Sequence, residues 1–210
     1  MTSNIDENRR CLFALDTGLR AEADRMLEES GVGEILHAES GLGEIIYGEG
    51  FEIAGSYDWQ VMTWRELDFE RGDDNPTLQA HWELGERFLN NDWVWGMRYL
   101  DASRDPRNPG DEGYYWGLDV INPDGGELWK MDLWTARPEV FESSAPKRPL
   151  WRKIINDDSR YYILLIKEVL CKLPEYRKSF HSWDIYEAVL ENNVHSVDEF
   201  REWWQRRDGK

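Results

Sequence analysis

Residues 53–69, IAGSYDWQVMTWRELDF, carry the clearest indication of the fold. A short apolar segment typical of a strand ends abruptly at Gly55-Ser56, and after nine intervening residues Glu66-Leu67-Asp68-Phe69 alternates charged with apolar side chains. Because side chains alternate across a strand, Glu66 and Asp68 are expected on the same face, where their carboxylates can share a cation. The stretch therefore predicts a sheet with a pair of acidic groups on one face.

Gly55 and Ser56 stand where the first strand ends. A glycine has no Cβ to shield its backbone, so the N–H group and the neighbouring serine hydroxyl can approach phosphate oxygens closely. This pair predicts a contact with an anionic, phosphate-bearing ligand beside the two carboxylates.

A third acidic group comes later, in the segment Lys130-Met131-Asp132-Leu133-Trp134. A lone carboxylate among apolar neighbours on a strand is costly unless a cation, a basic partner or a catalytic role retains it. Asp119, on the partner strand of the same predicted hairpin, competes with Asp132 for the role of third carboxylate.

The rest of the chain separates into a mixed part and a helical part. Alternating or apolar runs predict the strands, Pro76 opens a predicted helix, and the turn-forming residues 122–126 predict an antiparallel hairpin. Predicted strands cover residues 45–47, 51–54, 64–71, 92–100, 114–121 and 127–136, and predicted helices cover 16–30, 77–90, 150–173, 183–192 and 197–207. The order favours an α+β fold, with an α+β domain over residues 1–142 and a helical C-terminal region over residues 143–210.

The charge of the chain disfavours one class of partner. The 210 residues carry a formal net charge of −17, which repels a phosphate backbone, so long nucleic acid is not an expected partner. Residues 143–178 are the exception, with 9 basic and 4 acidic side chains. This basic segment is interpreted either as a solvated helix face or as a binding site for a small polyanion.

No run approaches the roughly 18 uninterrupted apolar residues of a membrane helix, so no membrane association is expected. The apolar run at residues 11–15 is too short for a secretion signal, and we expect a cytoplasmic protein. Four histidines without ligand spacing are interpreted as surface or cap residues. The oligomeric state is left open.

The order apolar-Gly-Ser, acidic-apolar-acidic-apolar and a later strand with one aspartate resembles the nucleotidyltransferase superfamily, which includes DNA polymerase beta and the small antibiotic-modifying nucleotidyltransferases. The resemblance covers residues 53–134. It implies a nucleotidyltransferase-like mixed β-sheet with flanking helices, a nucleoside triphosphate such as ATP as donor, and Mg²⁺ or Mn²⁺ as cofactor. The family's first carboxylate is usually aspartate, whereas this chain has Glu66.

The resemblance also implies roles for single residues. Glu66, Asp68 and Asp132 would be catalytic and bind the metal, with Asp132 as general base. Gly55 and Ser56 would hold the nucleotide phosphates. The basic segment then gains a role, because four of its side chains are expected to face the triphosphate across a cleft. These nucleotide-binding candidates are Arg148, Arg152, Lys153 and Arg160.

The implied reaction transfers a nucleoside monophosphate to a hydroxyl group. Because residues 1–142 are strongly acidic, the expected acceptor is a small molecule or a protein side chain rather than a polyphosphate chain. Two alternatives stay open. One is a non-catalytic nucleotide-binding or interaction module in which Glu66 marks a degenerate site. The other is a carbohydrate-active protein, since acidic pairs among 12 tryptophans also suit sugar chemistry.

Overall fold

The computed structural model describes residues 40–105, 112–126 and 128–208. The fold is α+β: a mixed five-stranded sheet with flanking helices is followed by helices alone, as the sequence predicts. The helix predicted over residues 16–30 lies outside the described residues. Within the described residues no helix is both long and apolar enough to cross a membrane.

The elements up to residue 136 form the sheet and the helices near it. In chain order they are α1 (Leu42–Gly48), β1 (Glu52–Ala54), α2 (Gly55–Asp58), β2 (Glu66–Gly72), α3 (Leu78–Leu89), β3 (Val94–Asp101), β4 (Gly113–Val120) and β5 (Trp129–Ala136). Helix α3 begins after Thr77, whose side chain accepts a hydrogen bond from the Ala80 N–H group, in agreement with the predicted start.

The strands lie in the order β1-β2-β5-β4-β3. Strands β4 and β5 pair antiparallel, which confirms the predicted hairpin. Strand β3 pairs antiparallel with β4, and β1 pairs antiparallel with β2. The central pair, β2 with β5, is parallel, so the sheet is mixed. This parallel pair brings the segment at residues 66–72 beside the segment at residues 130–136.

The two faces of the sheet differ in polarity because its strands alternate. One face carries apolar side chains that are almost fully buried, including Leu67, Phe69, Met131, Leu133 and Leu118. Helix α3 packs against this face, and its backbone carbonyl at His81 accepts a hydrogen bond from the Trp116 indole at 3.0 Å. Most of the charged residues of β2 and β5 therefore lie on the other face.

The remaining helices are α4 (Pro138–Ser144), α5 (Arg148–Ile154), α6 (Asp157–Leu170), α7 (Ser182–Asn192) and α8 (Val197–Asp208). The helix predicted over residues 150–173 is in fact two helices. Asn156 interrupts it, because its side chain accepts a hydrogen bond from the Ser159 N–H group and caps α6. The helices predicted at 183–192 and 197–207 correspond to α7 and α8.

The described residues form two compact units. The first contains the sheet and includes residues 40–58 and 64–148. The second contains the C-terminal helices from Pro149 together with Trp59–Thr63, a short segment that leaves the first unit between α2 and β2. Side chains of this segment, Trp59 and Val61, belong to the core of the helical unit. The domain boundary predicted after residue 142 stays a prediction.

Two further expectations from the sequence are wrong. Residues 45–47 were expected as a strand but lie in α1, where Leu42 and Ile46, four positions apart, are both fully buried on one helix face. His81 was expected at the surface but is 1% exposed. It stacks on Trp116 and Tyr114 with ring centroids 5.0 and 5.1 Å apart, because α3 turns it toward the sheet.

Candidate functional site

On the polar face of the sheet, the pairing registers align side chains of neighbouring strands in rows. The pairing registers align one residue from each strand in the central row, which reads Ala54, Asp68, Asp132, Gly117 and Arg98 from β1 to β3. Asp68 and Asp132 are therefore neighbours on parallel strands, whose axes lie about 4.8 Å apart. The structure brings together these two predicted site residues on one face.

Glu66 lies on the same face but in the next row, where its register partner is Lys130. The side chain is 7% exposed, and its Oε2 accepts a hydrogen bond from the Trp64 indole. Glu66 thus lies one row away from Asp68 and Asp132 on the same face, and its carboxylate is hydrogen-bonded to the Trp64 indole.

The Gly55-Ser56 pair follows β1 directly and opens the four-residue helix α2. Gly55 has a φ of +66°, and a Cβ placed there would lie 2.0 Å from Asp68 Oδ2. A backbone this close to the carboxylate needs a residue without a side chain, which is the physical reason for the glycine. Ser56 is 8% exposed.

Asp119, the alternative third carboxylate, also lies on the polar face. Its register partner on β5 is Lys130, so it belongs to the row of Glu66 rather than to that of Asp68. Strand β5 separates it from β2, whereas Asp132 stands directly beside Asp68. Of the two candidates, Asp132 is therefore the direct neighbour of Asp68.

The predicted nucleotide-binding cations fall in different places. Arg148 pairs with Glu70 through two hydrogen bonds, one of them 2.7 Å long, and Glu70 is two residues from Asp68 on the same face. The other three belong to the helical unit. Arg152 and Lys153 are exposed on α5, while Arg160 on α6 donates to the Trp59 carbonyl oxygen at 3.1 Å and to Asp157 at 3.0 Å.

Two residues that the sequence analysis did not single out contact the site. Tyr115 on β4 donates a hydrogen bond from its hydroxyl to Asp132 Oδ1 at 2.6 Å, and Arg98 on β3 donates to the Tyr115 hydroxyl oxygen at 2.6 Å. The signal in the sequence was the alternation of β4, which sends Tyr115 to the face of Asp119, but the partner depends on register across strands.

The protonation states of this chain of contacts follow from its surroundings. Burial raises the pKa of Tyr115 well above its ordinary value, and the hydrogen bond to the Asp132 carboxylate raises it further, so the phenol keeps its proton. The hydrogen bond from Arg98 to Tyr115 raises the pKa of the guanidinium. Each group therefore donates in one direction, from the cation to the phenol and from the phenol to the carboxylate.

A cavity of about 170 Å³ opens beside Asp132, on the side of β4 and β3. Two of the residues on this part of the face, Gly96 and Gly117, contribute no side chain, which leaves the space open. The lining is mixed in charge and consists of Met97, Arg98, Tyr115, Gly117, Leu118, Asp119, Lys130 and Asp132.

The carboxylate oxygens of Asp68 and Asp132 suit a hard cation such as Mg²⁺, which prefers oxygen ligands and binds through one or two carboxylates plus substrate phosphates. In the described ranges, no three His, Cys, Asp or Glu side chains form a group that could hold a metal ion. The Asp68 and Asp132 carboxylates therefore fit one such ion, and the Glu66 carboxylate is hydrogen-bonded to the Trp64 indole.

Comparison with known proteins finds similarity among solved structures. No protein-family model matches the chain, and no curated protein matches it in sequence. A solved structure similar to this chain is that of the non canonical poly(A) polymerase complex GLD-2 – GLD-3, with a TM-score of 0.48 and 12% identity. The match covers 81% of this chain and 57% of that chain, so this chain spans little more than half its length.

Proposed function

We propose that this chain is a metal-dependent nucleotidyltransferase that moves a nucleoside monophosphate from a nucleoside triphosphate to a hydroxyl of a small molecule or a protein. The observation that carries the proposal is the alignment of Asp68 with Asp132 on neighbouring parallel strands, with the Gly55 backbone against the Asp68 carboxylate. This is the arrangement that the sequence resemblance implies for a site that binds a metal and a triphosphate.

Each residue of the site has a distinct part in the proposal. Asp68 and Asp132 bind Mg²⁺ or Mn²⁺, and the ion, when bound, neutralises charge on the triphosphate and on the leaving pyrophosphate. Asp132 takes the proton of the acceptor hydroxyl as this group attacks the α-phosphorus in line with the leaving group. The Gly55 and Ser56 backbone and hydroxyl groups hold phosphate oxygens.

Glu66 is proposed as a further ligand of the same ion. To bind the ion, the Glu66 carboxylate would give up its hydrogen bond from the Trp64 indole. Arg148 is a proposed contact of the triphosphate and would keep or exchange its pairing with Glu70 on binding, and the roles predicted for Arg152, Lys153 and Arg160 stay predictions. These assignments rest on charge and on the resemblance.

Thermal unfolding tests the proposal directly. Mg²⁺ with ATP should stabilise the wild-type protein by about 2.7 kcal/mol when the ligand is at roughly 100 times its dissociation constant. Asp68→Asn should abolish this stabilisation because it removes a metal ligand. Asp124→Asn, in the exposed turn between β4 and β5, is the matched control and should keep it. A well-folded wild-type protein whose melting temperature ignores every nucleoside triphosphate at millimolar concentration would contradict the proposal.

Transfer is tested with a labelled nucleoside triphosphate offered to cellular metabolites, a protein extract and transfer RNA in parallel. Label should appear on metabolites or protein, because the acidic surface repels RNA. Label found chiefly on transfer RNA would show that the charge argument for the acceptor is wrong while leaving the proposed chemistry in place.

A second candidate function is a non-catalytic nucleotide-binding module, which the bonding of Glu66 to Trp64 favours. This candidate predicts stabilisation by a nucleoside triphosphate without any labelled product. The carbohydrate alternative gains no support from the pair at Asp68 and Asp132, because these residues stand side by side rather than across a sugar-binding cleft.

A further inference from the structure

The Asp132 carboxylate on β5 accepts a hydrogen bond from a side chain on β4, and that side chain accepts a hydrogen bond from a side chain on β3. Tyr115 is 2% exposed, and its hydroxyl donates to Asp132 Oδ1 at 2.6 Å. Arg98 donates to that hydroxyl oxygen at 2.6 Å, and its guanidinium carbon also lies 5.2 Å from the centre of the Tyr115 ring. Three strands thus contribute one side chain each to a single hydrogen-bonded chain.

Tyr115 reaches Asp132 only because Gly117 has no side chain. The register partner of Asp132 on β4 is Gly117, whereas that of Tyr115 is Trp134. The Tyr115 side chain therefore extends along its strand toward Gly117 to reach Asp132. A Cβ on Gly117 would lie 2.3 Å from the Tyr115 hydroxyl. The ring of Tyr115 is supported on its other side by Trp134, with centroids 4.8 Å apart.

This arrangement is typical of residues that hydrogen-bond to a metal-binding side chain without touching the metal. Carboxylates that bind metals are commonly oriented by hydrogen bonds from residues that do not touch the ion, and losing such a partner costs about 10–100-fold in metal affinity or activity. Strand pairing fixes the backbones of Asp132 and Gly117, but the rotation of the carboxylate about its own bonds is fixed by side-chain contacts.

We propose that Tyr115 is a positioning residue that sets the orientation of the Asp132 carboxylate, with Arg98 holding its hydroxyl and Gly117 making room for it. The inference rests on the proposed function for what the oriented carboxylate binds. Tyr115 touches neither the ion nor the substrate in this assignment, and acts through Asp132.

The test measures Mn²⁺ binding to the metal-free, full-length protein by electron paramagnetic resonance. Tyr115→Phe keeps the ring and removes the hydroxyl, and should weaken Mn²⁺ binding by about 10–100-fold. Gly117→Ala should weaken it as well, since the added methyl group displaces the hydroxyl. Tyr114→Phe is the matched control: it lies next in sequence on the opposite face, and should bind Mn²⁺ as the wild type does.

Steady-state kinetics distinguish a positioning role of Tyr115 from a purely structural one, because they separate kcat from KM. With labelled nucleoside triphosphate and saturating Mn²⁺, Tyr115→Phe should lower kcat while leaving KM for the nucleotide within about twofold, because the phosphate contacts of Gly55 and Ser56 are untouched. Wild-type Mn²⁺ affinity and wild-type kcat in Tyr115→Phe would overturn the positioning role and leave the proposed function standing.

If the wild-type protein itself does not bind Mn²⁺, the proposed function fails, and the positioning role is decided without metal. A crystal structure of Tyr115→Phe should then show the Asp132 carboxylate turned away from its wild-type orientation. An unchanged carboxylate would overturn the inference.

Discussion

Gly55 is the residue whose replacement reports most directly on the site. Its φ of +66° disfavours any side chain, and a Cβ would lie 2.0 Å from Asp68 Oδ2. Gly55→Ala should therefore destabilise the fold by about 1–3 kcal/mol and displace the Asp68 carboxylate, abolishing stabilisation by Mg²⁺ and ATP.

Gly50 provides a matched control for this change. It also has a positive φ, of +79°, but nothing lies within 4 Å of an added Cβ. Gly50→Ala should cost backbone strain alone and keep the ligand response. Thermal unfolding of both variants with and without ligand separates the two effects, and a normal ligand response in Gly55→Ala would show that the close approach to Asp68 does not matter.

His81 gives the protein a pH dependence on the acid side. Burial lowers the pKa of His81 to about 4, against about 6.5 in an unfolded chain. The unfolded state thus binds a proton more readily, so stability contributed by the neutral ring is complete above pH 6.5 and is lost as the pH falls toward 4. The loss amounts to about 3 kcal/mol at most.

His81→Phe keeps an aromatic ring between Trp116 and Tyr114 and removes the titrating group. Denaturant unfolding between pH 7 and pH 4 should give a shallower decline of the free energy of unfolding for this variant than for the wild type. Equal slopes would mean that His81 is protonated without penalty in the folded protein.

At the scale of elements, α6 holds the Trp59–Thr63 segment through a buried cation. Lys167 is fully buried, and its Nζ donates to the Val61 carbonyl oxygen at 3.1 Å and to the Tyr186 hydroxyl at 3.4 Å. Lys167→Ala leaves the carbonyl group without this donor and opens a cavity, and should destabilise the protein by about 2–4 kcal/mol.

Lys172→Ala is the control for this prediction. Its ammonium group is exposed and pairs with Glu168, and exposed ion pairs contribute little to stability. Both variants are compared by denaturant unfolding. A loss no larger in Lys167→Ala than in Lys172→Ala would show that the buried amine does not hold the segment.

Elements also show where sequence patterns succeed and fail. The strands β2 and β5 and helix α3 follow from periodicity and capping, because these signals are local. Residues 45–47 were assigned to a strand from two β-branched residues, but burial of Leu42 and Ile46 on one helix face decides the structure. Lys167 was assigned to a basic segment, and only the tertiary fold shows that it is buried.

For the whole molecule, the α+β class and the shared face of Glu66 and Asp68 could be predicted from the sequence. The parallel pairing that places Asp132 beside Asp68 could not be derived from alternation, because register between distant strands depends on the whole sheet. For the same reason Tyr115 and Arg98 were missed. The roles of the site residues, including those of the basic side chains, stay predictions.

Trp59–Thr63 belongs to the helical unit although it precedes most of the sheet in sequence, and this order has a consequence for synthesis on the ribosome. Val61 and its partner Lys167 are 106 positions apart, and Trp59 and Arg160 are 101 apart. At about 5–20 residues per second, the nascent segment waits roughly 5–20 seconds before the helix that receives it has been made. Throughout that interval a tryptophan and a valine destined for a core are open to solvent, which makes this segment the natural point for a chaperone to hold or for premature aggregation to begin.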